Sequence, residues 1–202
     1  GHVGGDPENR KKKWSEWWER IGKLAKHPII NVSLPFKKPR PSNNLAEFIG
    51  LMMGDGGMSR NQICITLHHI DDLEYSKYVR SLMKKLFDIK PSFRHDTKNS
   101  VNRLTISRIG LVKYLVSLGV VEGNKIKQRL DIPSWIKHNN SFLKSCIRGL
   151  VDTDGSIFSH RYKVNGKLYL YKKLSFTSAS PPLINSVSLA LKKWGFQPRN
   201  TK

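Results

Sequence analysis

Two aspartates are placed to do chemistry. Asp55 ends the stretch Phe48-Ile-Gly-Leu-Met-Met-Gly-Asp-Gly56, and 99 residues later Asp154 ends Ile147-Arg-Gly-Leu-Val-Asp-Thr-Asp-Gly155. In both, an apolar helical run closes on Asp-Gly, and the Gly-Leu pair recurs at matching positions. One copy reads as a helix with an ordinary stop signal. Two copies in one register imply a pair of related halves. Gly50 and Gly54 are spaced i, i+4, as are Gly149 and Thr153, so each helix offers a stripe of small residues on which backbones can approach. Packed about a pseudo-two-fold axis, the helices would bring Asp55 and Asp154 together at their C-terminal ends. Carboxylates that close repel unless a cation neutralises them. The helix-end carbonyls of Gly54 and Thr153 add negative potential there. Such a hard-oxygen set with open positions favours Mg²⁺, or a related ion such as Mn²⁺ or Ca²⁺. A divalent ion there lowers the pKa of water and polarises a phosphate.

The rest of the composition names the partner. With 36 Lys+Arg against 15 Asp+Glu, the formal charge of +21 is tolerated most readily beside a polyanion. No apolar run approaches a membrane-spanning length, which leaves nucleic acid as the polyanion. Cys64 and Cys146 form no CxxC unit and read as small buried hydrophobes in a reducing compartment. No signal peptide is visible, so an intracellular, non-secreted protein is expected.

Local patterns give the elements that must hold the acids. Residues 1–41 form a basic, Trp-containing extension and Pro-rich linker. Trp14, Trp17, Trp18, Ile21 and Leu24 mark an amphipathic helix, and Pro28, Pro35, Pro39 and Pro41 mark an extended basic segment. Residues 42–123 form a first repeat in the order helix, two strands, helix, two strands, helix. Asn43 or Asn44 caps its opening helix, Leu45 to Gly54. Residues 124–140 form a linker, and 141–202 a second repeat. There Phe142 to Thr153 is the helix, Val164-Asn165-Gly166-Lys167 turns a hairpin, and Ser180-Pro181-Pro182 opens the next helix. Pro91 of the first repeat corresponds to Pro198 of the second. Beyond it the second repeat has no room for two further strands and a closing helix. The expectation is a fragment, or a sheet completed by a second chain; otherwise the protein acts as a monomer.

The duplicated helix ends and the span from Leu45 to Lys202 resemble the LAGLIDADG homing endonuclease family. The resemblance implies an α+β fold of two pseudo-symmetric αββαββα repeats forming a saddle over the DNA major groove, the second incomplete here. It also implies Mg²⁺-dependent double-strand cleavage at a long site, with Asp55 and Asp154 as metal ligands. The motif's sixth position, often acidic in the family, is Met53 in one copy and Asp152 in the other, so Asp152 is given a structural role. A basic residue usually follows the last helix of a half. Lys127 is the first choice for it and Lys125 the second, to stabilise the pentavalent phosphate or help activate water. Asp71, His69 and Ser180 are looser polar candidates. Outward strand residues would meet bases or phosphates: Arg60, Gln62, Thr66, His68, Arg94, Arg103, Thr105 and Ser107 in the first half, and Arg161, Lys163, Lys172, Lys173, Ser175 and Thr177 in the second. The rival functions are an RNA maturase or a non-cleaving DNA-binding regulator on the same scaffold.

Overall fold

A computed structural model of the chain describes residues 6–22 and 34–199. The positions assigned above to Leu24, Pro28 and Lys202 lie outside the described residues. Two compact units are present, residues 1–33 and 34–202. In the first, helix α1 (Pro7–Trp17) opens with the Asp6 carboxylate accepting from the Glu8 amide, and Pro7 stands where no amide is needed. It passes into a π-helical turn over Trp18–Gly22, and Trp14 stacks on Trp18 at 5.6 Å.

The second unit is built on α2 (Asn43–Met53). Ser42 caps this helix, its hydroxyl accepting from the Leu45 amide at 3.3 Å. The cap therefore falls one residue before the two asparagines expected to supply it. Asn43 has another use, accepting from the Ser141 hydroxyl across the molecule at 2.9 Å. Every residue from Leu45 to Met53 is buried. A helix apolar on all sides must be covered on all sides, and two surfaces cover α2.

One is a four-stranded antiparallel sheet in the order β1-β2-β4-β3, formed by β1 (Gly56–Ser59), β2 (Gln62–His68), β3 (Ser92–Asp96) and β4 (Val101–Ser107). Ile63 and Ile65 pair with Ile106 and Leu104, all on the helix side of the sheet. Helix α3 (Leu73–Phe87) follows β2, and its Phe87 meets Phe48 edge-on at 5.0 Å. Helix α4 (Ile109–Ser117) completes the expected αββαββα order. The Pro-rich segment is pinned to this body. Phe36 packs on Tyr114, the Lys37 amide donates to the Phe87 carbonyl, and the Tyr114 hydroxyl donates to the Pro39 carbonyl.

The other cover is α6 (Asn140–Asp154), which lies along α2. A methyl added at Gly50 would overlap the Cys146 carbonyl, and one at Gly149 would overlap the Glu47 carbonyl. The two contacts are equivalent under the 99-residue repeat, so the helices touch backbone to backbone about a pseudo-two-fold axis. Glu47, 1% exposed, accepts from the Tyr78 hydroxyl at 2.6 Å and from the Arg148 guanidinium across the seam. Asp152 accepts from the Tyr75 hydroxyl at 3.3 Å, which ties α6 to α3.

Between the repeats, residues 124–140 are not a loose tether. Leu130, Ile132 and Ile136 are buried, the last in the short helix α5 (Ser134–Lys137), and Asp131 bonds both Lys137 and Ser186 at 2.6 Å. The second repeat continues as β5 (Gly155–Val164), β6 (Lys167–Phe176) and α7 (Pro181–Lys193). β5 and β6 form a two-stranded ribbon. Both repeats start their sheets alike, since the Thr66 amide donates to the Asp55 carbonyl and the Thr177 amide to the Asp154 carbonyl. The loop between those partners is longer in the second copy, so its ribbon projects further.

The seam leaves no space for a side chain. Gly50→Val and Gly149→Val are expected to lower the thermal midpoint by roughly 4–12 °C, the effect of overpacking a contact that cannot relax. Gly57→Ala serves as the control, because its nearest neighbour is 4.0 Å away. Melting followed by circular dichroism checks the contrast.

Candidate active site

The seam delivers both acids to one place. Gly54, the last turn of α2, lies so close to Thr153 that an added methyl would stand 2.7 Å from the Thr153 Cβ and 3.3 Å from Asp154 Oδ2. The Asp154 carboxylate therefore lies against the residue that precedes Asp55. Thr153 turns its hydroxyl back onto its own helix, donating to the Gly149 and Leu150 carbonyls at 3.0 and 3.1 Å. Partial burial raises the Asp55 carboxyl above its ordinary range, and the Asp154 charge and then Asp72 push it the same way. Asp154 is raised by burial and eased by Lys125.

Lys125 is the cation at this site. Its ammonium donates to the carbonyls of Met52, Met53 and Gly54 at 3.2, 3.0 and 2.5 Å, closing the C-terminus of α2. Burial lowers its pKa, while Asp154 and then Asp55 hold the proton on. Lys127, the first choice from sequence, is exposed, and its amide bonds the Asn124 side chain. The structure thus places the second choice at the acids and the first choice away from them. Ser180 is buried and donates to the Leu130 carbonyl at 2.5 Å, a packing role. Asp71 pairs with His68 at 3.1 Å, and His69 meets the Ser100 carbonyl at 2.9 Å. Asp72 stands at the start of α3 without a side-chain cap bond; its carboxylate instead accepts from the His68 amide at 2.9 Å, and its charge raises the Asp55 carboxyl.

Among the described residues, no group of three or more His, Cys, Asp or Glu side chains could enclose a metal ion. Two raised carboxylates beside helix-end carbonyls still fit a hard cation. Mg²⁺ is commonly held by one or two carboxylates and completes its shell with water and substrate phosphate.

The sheet presents a second candidate surface, the one turned away from α2. Pairing and alternation put Ser59, Gln62, Cys64, Thr66, His68, Ser92, Arg94, Arg103, Thr105 and Ser107 on it. Arg60 stands exposed in the β1–β2 turn. Arg94 and Arg103 are cross-strand partners, an arrangement that like charges disfavour and an anion relieves. Asp96 already offsets one of them, at 3.1 Å from Arg103. Cys64 is corrected by this geometry. It is a half-buried thiol on the polar face, not a core hydrophobe, with the Thr105 hydroxyl 3.5 Å away; Cys146 alone is buried.

The ribbon needs a larger correction. Ser175 and Lys173 pair with Ser156 and Phe158 on one face, while Arg161, Lys163 and Lys172 stand on the other among Ile157, Leu168, Leu170 and Leu174. The six residues expected to read DNA in the second half therefore do not share a surface. Thr177 is exposed just past β6. No helix among the described residues is long and apolar enough to cross a membrane.

The raised acids carry a signed prediction. A carboxyl with a folded-state pKa above its unfolded value destabilises the fold increasingly as pH rises through that window. In chelator, Asp55→Asn is expected to melt higher than the parent at neutral pH. That advantage should shrink as pH falls towards 4, where the parent's acid takes up its proton. Thermal melts across pH read it directly, and Mg²⁺ should stabilise the parent more than the variant.

Residues 141–202 match the model of the LAGLIDADG-like domain. A curated relative, the replication factor C small subunit of Methanocaldococcus jannaschii, is 29% identical over 133 residues. That match takes in 60% of this chain, and the chain spans 7% of the relative's length. Similar solved structures include mesophilic variants of the homing endonuclease I-DmoI, at 16% identity and a TM-score of 0.46 over 76% of this chain and 77% of that one. Another is an I-DmoI variant in complex with its target DNA in the presence of 2 mM Mn, at 16% identity and a TM-score of 0.42, covering 76% of each chain. Asp154 lies inside the segment that matches the LAGLIDADG-like domain, and Asp55 repeats its place across the seam.

Proposed function

We propose that the chain is a site-specific double-strand DNA endonuclease of the homing type. The observation that carries this reading is the meeting of Asp55, Asp154 and the Lys125 ammonium at one end of the α2–α6 seam. A structural helix end gains nothing from two converging carboxylates, whereas phosphodiester hydrolysis uses them.

In this reading Asp55 and Asp154 hold the divalent cation, with the carbonyls of Gly54 and Thr153 beside them. The chemistry the cation supplies when bound is activation of water and neutralisation of charge on the phosphodiester. Lys125 neutralises the carbonyl end of α2 and, with its three N–H groups on the Met52, Met53 and Gly54 carbonyls, acts through its positive charge on the charge that develops on phosphorus oxygens. Gln62, Thr66, Arg94, Arg103, Thr105 and Ser107 present donors and acceptors suited to base edges in a major groove, with Arg60 and His68 at the margins. The formal charge of +21 supplies the phosphate contacts that fix register. The chain matches 7% of its curated relative's length, which suits a module carried within a longer protein, and intron or intein mobility is the setting we propose.

The test is cleavage of a library of DNA sites with Mg²⁺. Asp55→Asn and Asp154→Asn should each reduce double-strand breaks to below about 1% of the parent, the loss of several kcal/mol of metal-assisted stabilisation. Lys125→Met should slow cleavage by roughly 10²–10³-fold, and Lys127→Met by less than about threefold. Full cutting by both aspartate variants would defeat the assignment. An RNA maturase or a non-cleaving regulator on this scaffold would keep its activity with both acids amidated.

A further inference from the structure

The two halves present different surfaces to a polyanion. The outward face of the four-stranded sheet holds short polar groups and arginines. The corresponding face of the β5–β6 ribbon holds rings. Cross-strand pairing sets Tyr162 opposite Tyr169 and His160 opposite Tyr171. Tyr162 lies 5.2 Å from Tyr169 at an interplanar angle of 18°, and 5.0 Å from Tyr171 on the diagonal. His160 stacks on Tyr162 at 6.1 Å and meets Tyr171 at 6.0 Å. The Lys173 ammonium stands 5.9 Å over the Tyr171 ring. Phe158, Tyr169 and Tyr171 remain 45%, 42% and 44% exposed. Cross-strand aromatic pairs would steady a lone ribbon, yet that need does not require so much ring surface to stay open.

Charge narrows the occupant. From Gly155 to Lys202 the chain has no Asp or Glu, and Lys167 and Lys173 stand on the ring-bearing face, with Arg161, Lys163 and Lys172 on the other face of the ribbon. A basic, ring-bearing strip is complementary to an anion that also offers flat apolar faces. In a duplex those faces are covered by neighbouring bases, and only edges are open in the grooves. Ring faces gain a partner where bases are unpaired and splayed.

We propose that the ring-bearing face of the β5–β6 ribbon is a stacking platform for unpaired nucleobases of single-stranded nucleic acid. It stands apart from the edge-reading sheet and needs neither Asp55 nor Asp154. Tyr162, Tyr169 and Tyr171 supply the stacking faces, and Lys167 and Lys173 hold the phosphates. This goes beyond duplex cleavage and holds whether or not the acids cut.

The test uses the full chain in chelator, with labelled oligonucleotides of about 12 residues, a length within the range such surfaces cover. Thymidine DNA, uridine RNA and an abasic strand of equal charge are titrated by fluorescence anisotropy. The base-bearing strands should bind at least about tenfold tighter than the abasic strand. The double variant Tyr162→Leu, Tyr171→Leu should bind all strands at the abasic level, and Tyr162→Phe, Tyr171→Phe should keep the preference. The ratio of the DNA and RNA arms identifies the natural strand. Equal binding of abasic and base-bearing strands overturns the proposal, as does a preference that survives the leucine changes. Should the leucine variant misfold, photocrosslinking 5-iodouracil strands to the parent decides: adducts on Tyr162, Tyr169 or Tyr171 support the platform, and adducts only elsewhere sink it. Self-association in sedimentation without base preference would assign the face to a second copy instead, and would also overturn it.

Discussion

Everything in the larger unit follows from two peptide backbones touching where Gly50 and Gly149 carry no side chain. Van der Waals contact at that distance fixes the rotation and slide of α2 against α6 far more tightly than interleaved leucines would, because glycine leaves no rotamer to adjust. Once axis and register are set, the C-terminal ends of both helices must coincide. The acids are then held by the stiffest part of the molecule. Their mutual repulsion is a local cost borne by a seam whose stability comes from elsewhere: the wholly buried α2, the sheet beneath it, and the polar bonds from Glu47 and Asp152.

Lys125 shows how the site is balanced. An ammonium drawn into a partly dry pocket loses hydration, and two carboxylates with three carbonyls compensate it. The acids gain in turn, since the same ammonium opposes the rise in their pKa. The group comes from the segment joining the repeats, anchored before it by the Gly123 amide on the Met58 carbonyl and after it by Leu130, Ile132 and the bonds of Asp131. The connection between the halves is thus part of the site's architecture.

Much of this was legible in the residues. Periodicity and a repeated Asp-Gly gave the helices, their symmetry and the meeting of Asp55 with Asp154, because small residues at helical spacing have few uses besides close packing. What was not legible has physical reasons. Lys125 and Lys127 sit in an irregular segment without a period, so nothing in the local pattern says which side chain turns inward. Ser42, Asn43 and Asn44 are all good capping residues, and tertiary contact with Ser141 chose among them. On the ribbon, charge and strand phase point to different faces. Lys172 has the parity of Leu170 and Leu174, so alternation alone puts it on the apolar side. Cys64 shares the parity of Gln62 and Thr66, and bulk apolarity was the wrong guide there.

The Glu47–Arg148 pair breaks the symmetry that the glycines establish. Under the 99-residue repeat, Glu47 corresponds to Cys146 and Arg148 to Ile49. A first repeat docking on another first repeat would seat each Glu47 carboxylate beside an isoleucine, with no guanidinium to neutralise it, and an orphaned interior charge is severely penalised. The molecule therefore carries an internal address: its first half accepts the second and disfavours a duplicate of itself.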